Sequence, residues 1–199
     1  MNPELYELTN SQKSIWNTEL FFKDTPINNI CGSVVIKEVI NLDLLSNAIN
    51  QFIKNNDSFN IHVKIMDGSV YQYFSQTQKI DFECLNFKDT DELHSYGEKF
   101  VTIPFKIIDS QLFDFKLFKL SNGFGGFIIK AHHIISDAVT FSFVGTEITS
   151  NYYALKNNEN IVEKNYSYID FINSEKKYLA GLLGAFYIQI GRASCRERV

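Results

Sequence analysis

Two adjacent histidines close an apolar run in 127-FIIKAHHIISDAVTF-141, and an aspartate stands four residues after the second. Imidazole exchanges its proton near neutral pH, so a histidine placed there suits general-base catalysis or hydrogen bonding to a developing negative charge. Two other uses compete for the same residues. Both rings can be hydrogen-bonded structural groups, the ordinary state of buried polar side chains. A metal site would need a third and fourth ligand; His62, His94 and Asp137 are available but form no ligand spacing, so none is expected.

The elements around the pair narrow its geometry. The run 127-FIIKA-131 is apolar nearly throughout and reads as a strand covered on both faces. Successive strand side chains point to opposite faces, so His132 and His133 cannot serve one site in the same way: one packs inward while the other faces a cavity. Ser136 or Asp137 then falls at the N-cap of the next helix, where free amides and the dipole favour negative charge. Phe141, Val144, Ile148, Tyr152 and Leu155 recur at spacings of three and four, which makes that helix amphipathic.

Upstream, Thr9 or Asn10 caps a helix through about Leu20 with Ile15, Trp16 and Leu20 on its apolar side, and 30-ICGSVVIKEVI-40 is strand-like. Asp43 opens a helix whose stripe is Leu45, Ala48, Ile49, Phe52 and Ile53. Residues 61-IHVKIMDGSVYQYF-74 alternate around an Asp-Gly turn, a hairpin signal. A helix at about 89 to 101 stops before Pro104. A second hairpin turns at Asn122-Gly123, and a last helix spans about 167 to 180. The order predicts an α/β or α+β domain with a mixed sheet flanked by helices.

At 199 residues the chain fits one domain with a sizeable core, and 45% hydrophobic residues with 18 Phe and 10 Tyr argue for a globular fold. A net charge of −4 gives no electrostatic reason to expect nucleic acid or an anionic membrane as partner. No apolar run approaches the roughly 18 residues of a membrane span, and the start has no leader-like pattern, so the chain reads as cytoplasmic. Cys31, Cys84 and Cys195 are scattered, without metal spacing, and read as small buried apolar residues.

One discontinuity stands out: residues 1 to 191 hold sixteen lysines and no arginine, whereas 192-RASCRERV-199 holds three arginines. The expectation is a non-native, frameshifted or misassembled tail over 181-199, leaving 1-180 as the structural lobe.

The sequence resembles the condensation domain of nonribosomal peptide synthetases, a branch of the chloramphenicol-acetyltransferase-like acyltransferases. Its H-H-x-x-x-D-G signature stands here as 132-HHIISDA-138. Its opening Leu-Thr/Ser-x-Ala-Gln segment is similar to 8-LTNSQKSIW-16, and its Pro-Phe then Pro-Leu-Phe-Arg passage to 104-PFKIIDSQLF-113. The helix after the signature is similar to 144-VGTEITSNYYAL-155.

The likeness covers about residues 5 to 180 and only the family's N-terminal half. It implies a chloramphenicol-acetyltransferase-like lobe whose second lobe, the other wall of a tunnel, is missing, so that the fragment alone is inactive. It also implies that His133 is the catalytic histidine, with His132, Asp137 and Ala138 structural. No cofactor is expected to bind directly. Phosphopantetheine arms on peptidyl or acyl carrier proteins bring both substrates, and neighbouring synthetase domains are the other partners. An epimerisation domain, a stand-alone acyl-CoA-dependent acyltransferase and a non-catalytic carrier-protein docking module are the alternatives.

Two departures accompany the likeness. Ala138 replaces the family's glycine, a cost only if positive φ is needed there. Residues 55-NNDSFN-60 replace an arginine-bearing segment, with Asn60 at its second arginine. Asp137 therefore pairs with a lysine such as Lys54 or Lys64, accepts neutral hydrogen bonds, or stands exposed.

Overall fold

A computed structural model describes residues 3–76, 78–162 and 167–181. The chain divides into two compact units, Met1–Tyr166 and Ser167–Val199. Of the second, the described part is one helix over 168–181, close to the expected 167 to 180; the rest of the 181–199 tail, with Cys195, lies outside the described residues.

The first unit runs β1 (Tyr6–Glu7), α1 (Asn10–Phe21), β2 (Asn29–Ile36), α2 (Leu42–Asn55), a 3₁₀ turn (Asp57–Asn60), β3 (Ile61–Met66), β4 (Ser69–Phe74), β5 (Cys84–Phe87), α3 (Thr90–Val101), β6 (Phe113–Leu120), β7 (Gly125–His132) and α4 (Ala138–Lys156). Capping chemistry fixes the helix starts. Thr9 and Gln12 form a capping box ahead of α1, and the side chains of Asn41, Asp89 and Asp137 accept main-chain N–H bonds at the heads of α2, α3 and α4. Asn41, with its short side-chain carbonyl, takes the cap of α2 and leaves Asp43 in the first turn.

The mixed α/β class is as expected, but two sheets replace the single expected one. The larger has the order β2-β7-β6-β5 and the smaller β1-β4-β3. The difference begins at β5, a four-residue strand too short to show alternation. It pairs parallel to β6, and α3 supplies the crossover that a parallel pair requires. The hairpin β3–β4 turns at Asp67 (φ 51°) and Gly68 (φ 76°), the left-handed backbone of a tight hairpin turn. It pairs with β1, while the other edge of β3 meets an isolated bridge from Val63 to Ile108.

Strand β7 is buried along its whole length between β2 and β6. Ile128, Lys130 and His132 point toward α3 and the Phe100–Phe105 segment; Phe127 packs the opposite way, against Phe115. The α2 stripe of Leu45, Ala48, Ile49, Phe52 and Ile53 is at most 1% exposed and packs against α4. Gly126 lets β2 approach, since a Cβ there would lie 1.9 Å from Val34 O.

Helix α1 departs from its expected apolar face. Leu20 is 51% exposed, and the two buried residues are Gln12 and Glu19. Cys84 is likewise exposed and Cys31 only half-buried, because β5 and β2 are the outer strands of their sheet.

Candidate active site

The alternation along β7 carries through its last residue and the loop beyond. His132 is 1% exposed, whereas His133, the first residue past the strand, is exposed. The inward ring is fully engaged. The Ile134 main-chain N–H donates to His132 Nδ1 at 3.1 Å, so the neutral ring carries its proton on Nε2, which lies 2.9 Å from Glu19 Oε1. Burial pushes the His132 imidazole below its ordinary pKa, and the opposing pull of the Glu19 bond is the smaller effect. The ring is therefore neutral near pH 7.

The main chain of His133 is held as firmly as the ring of His132. Its N–H donates to Asn28 O at 2.7 Å. The Asn28 side chain in turn donates to Glu19 Oε1 at 2.7 Å, so one buried carboxylate oxygen gathers both His132 and Asn28. Ser136 Oγ donates to His132 O at 3.1 Å and tightens the loop from its far side.

A second bracket comes from Gln12, two turns before Glu19 on the same face of α1. Its side-chain amide donates to Ile134 O at 3.2 Å and to Gln72 Oε1 at 2.9 Å, while Gln72 Nε2 donates back to Gln12 Oε1 at 2.8 Å. The polar face of α1 thus grips both sides of the histidine loop. The 8-LTNSQKSIW-16 segment has its structural meaning here.

The 104-PF-105 pair also meets the site. The Phe105 ring stands edge-on to His132 at 6.3 Å. Lys130 is 3% exposed, donates to Ile103 O at 2.9 Å and lies 4.5 Å from the Phe105 ring centre and 4.7 Å from that of Phe100. Burial lowers the pKa of its ammonium; the Asp114 charge on the neighbouring strand opposes that shift, and the carbonyl and the two ring faces add favourable contacts for the cation.

Asp137 caps α4: its carboxylate accepts from Thr140 N at 2.7 Å and Thr140 Oγ1 at 2.8 Å. Those bonds hold its pKa below the usual carboxylate range, with the nearby His133 adding to the effect. Of the arrangements left open for it, Asp137 takes neutral hydrogen bonds while remaining exposed. Ala138 is the first residue of α4 and is not among the positive-φ residues, so its methyl group costs no backbone strain. Asn60 is buried, and its side chain donates to Ile53 O at 3.4 Å.

The other histidines lie elsewhere. His62 on β3 stacks on Tyr73, with Nε2 3.0 Å from Ser75 Oγ, and His94 on α3 pairs with Glu98. Among the described residues no group of three or more His, Cys, Asp or Glu converges as metal ligands would.

Comparison with known proteins decides the family. The condensation-domain family model matches residues 2–182. The chain belongs to the condensation-domain family. Similar sequences come from Bacillus subtilis (strain 168). One of its plipastatin synthase subunits is 29% identical over 185 residues, and surfactin synthase subunit 1 is 30% identical over 189. The matches take in 90% and 89% of this chain but only 7% and 5% of those proteins.

The fold is that of solved condensation domains. The starter condensation domain of the rhizomide synthetase superimposes with a TM-score of 0.80 at 19% identity, over 88% of this chain and 44% of that one. The first condensation domain of the calcium-dependent antibiotic synthetase gives 0.80 at 14%, over 90% and 46%. This condensation-domain chain therefore spans less than half the length of the solved domains. No helix among the described residues is long and apolar enough to cross a membrane.

Glu19, Asn28 and Lys130 were not singled out by sequence reasoning. Periodicity searches look for apolar faces, and a buried face made of Gln12 and Glu19 is invisible to them.

Proposed function

We propose that residues 1–180 are the first lobe of a condensation domain of a nonribosomal peptide synthetase, with 181–199 a non-native tail. The reading rests above all on an exposed His133 at the end of a fully buried strand, its main chain pinned and its neighbour His132 committed to the interior. In the two-lobed domain an aminoacyl amine, tethered to a carrier protein by phosphopantetheine, attacks the thioester carbonyl of a second tethered acyl or peptidyl group. The C–N bond forms and the carbonyl pair moves onto oxygen. His133 accepts the proton leaving the amine, the tetrahedral centre collapses with cleavage of the C–S bond, and the proton passes to the departing thiolate. Holding two tethered reactants together supplies much of the acceleration.

The chain alone offers one wall of such a tunnel. Val139, beside the motif, is 76% exposed, and Phe21 and Ile27, close to Glu19 and Asn28 in sequence, are open as well. Exposed apolar side chains of this kind suit a covering lobe. The partners are carrier proteins and the neighbouring synthetase domains, and the compartment is the cytoplasm.

The test is product identity. This lobe joined to a second condensation lobe is offered carrier-bound donor and acceptor, and the products are read by mass spectrometry. A new amide on the acceptor arm supports the reading. An inverted α-carbon, acyl transfer from coenzyme A alone, or carrier binding without any product assigns one of the alternatives instead.

A further inference from the structure

We propose that Glu19 is a positioning residue for His133, acting through Asn28 and His132. The inference rests on the reading in which His133 does the chemistry. Glu19 is 8% exposed, and its Oε1 accepts from His132 Nε2 at 2.9 Å and from Asn28 Nδ2 at 2.7 Å. Those two donors lead to the two ends of one short segment. Asn28 holds the His133 N–H through its main-chain oxygen at 2.7 Å; His132 receives the Ile134 N–H on Nδ1 at 3.1 Å. The main chain on both sides of the His133 Cα is thus referred to a single carboxylate on α1, while the His133 side chain stays exposed.

The arrangement has a physical reason. A reactive side chain must stay open to substrate, so its own ring cannot be locked by packing; only its backbone can be. A charged acceptor with two donors is stiffer than a neutral one, because charge-assisted hydrogen bonds are roughly twice as strong. Helix α1 runs unbroken from Gln12 to Glu19, and its Gln12 end grips Ile134 O. Without Glu19, His132 Nε2–H and Asn28 Nδ2–H would be buried donors lacking an acceptor, and both would reorient in search of one.

Histidine-selective ¹⁵N labelling of this chain tests the idea without any turnover, since four histidines give four main-chain and four ring signatures. In the parent protein the His133 amide exchanges slowly and the His132 ring shows the Nε2–H tautomer. In Glu19→Ala the His133 amide exchanges about tenfold faster, the loss of one ordinary hydrogen bond, while the His62 and His94 signals stay in place. Glu19→Gln, which keeps an acceptor oxygen, restores most of the protection. If Glu19→Ala does not fold, Asn28→Ala carries the same expectation for the His133 amide. Unchanged His133 exchange in whichever variant folds, or a Glu19→Gln protein that behaves like Glu19→Ala, overturns the proposal. Absence of an amide product from the two-lobed protein would instead count against the acyl-transfer reading and leave this measurement intact.

Discussion

Gln12 and Gln72 exchange two side-chain hydrogen bonds, at 2.9 and 2.8 Å, across the buried seam between α1 and β4. Each amide also reaches a third group: Gln12 donates to Ile134 O and Gln72 to Glu7 O. The pair therefore joins the small sheet, the first helix and the histidine loop in one polar contact.

Removing Gln72 leaves one buried Gln12 N–H without its acceptor, and removing Gln12 leaves Gln72 Oε1 and one of its N–H groups unmet and breaks the capping box with Thr9. Gln12→Ala and Gln72→Ala should each destabilise the chain by about 2 to 4 kcal/mol, combining the desolvation penalty with lost packing. The double variant should cost less than the sum, with a coupling of about 1 kcal/mol or more. Urea denaturation of the four proteins measures it, and strict additivity would show that the reciprocal bonds carry no shared energy.

The depressed His132 pKa sets a direction for pH dependence. The unfolded ring takes up a proton near about pH 6.5, whereas the folded, buried ring does so only at lower pH. The unfolded state thus binds more protons in that window, and stability is lost as pH falls below about 6.5. Burial depresses His62 in the same direction. Asp137, held low by Thr140, contributes its own loss only below about pH 4. Denaturation midpoints at pH 7, 6 and 5 should fall more steeply in the parent protein than in His132→Gln. Equal slopes would remove His132 from the account.

Two glycines predict opposite outcomes. A methyl group at Gly126 would sit 1.9 Å from Val34 O and 3.0 Å from the Phe118 ring, and a strand backbone cannot step aside, so Gly126→Ala should cost about 3 kcal/mol or more. At Gly97, inside α3, a Cβ meets nothing within 4 Å, and Gly97→Ala should stabilise by about 0.5 to 1 kcal/mol. Melting temperatures of the two variants, one well below and one above the parent, check the packing of β7 and α3 independently.

Ala138 gives a sharper test of motif logic. It opens α4 without positive φ, so Ala138→Gly, which restores the family's letter, gains no backbone freedom that the fold uses. The expected result is a small loss of stability, up to about 1 kcal/mol. A gain of more than that would mean the helix start is strained.

Much of the placement of the histidine motif is legible in the sequence, for reasons that are local. The alternation of a strand separated His132 from His133, and the N-cap preference for short polar side chains narrowed the head of α4 to Ser136 or Asp137, of which Asp137 takes the cap. The apolar stripe of α2 is likewise buried residue by residue. What escaped is non-local. Glu19 is 113 residues from His132, and nothing in the spacing of α1 marks a carboxylate that turns inward. Strand β5 has four residues and pairs across a helix, so neither length nor alternation announced it. Ile65 alternates correctly yet is 50% exposed, because the hairpin joined β1 in a sheet of its own.

The central claim is that His133 carries the chemistry of a condensation domain of which this chain is one lobe. The direct measurement is the single-turnover rate of amide formation by the two-lobed protein, with His133 intact and as His133→Ala, on carrier-bound substrates at saturating concentration. The account predicts a fall of about 10² to 10⁴ on losing the base, with the fold unchanged by circular dichroism. A His133→Ala protein that forms the amide at the parent rate would contradict it.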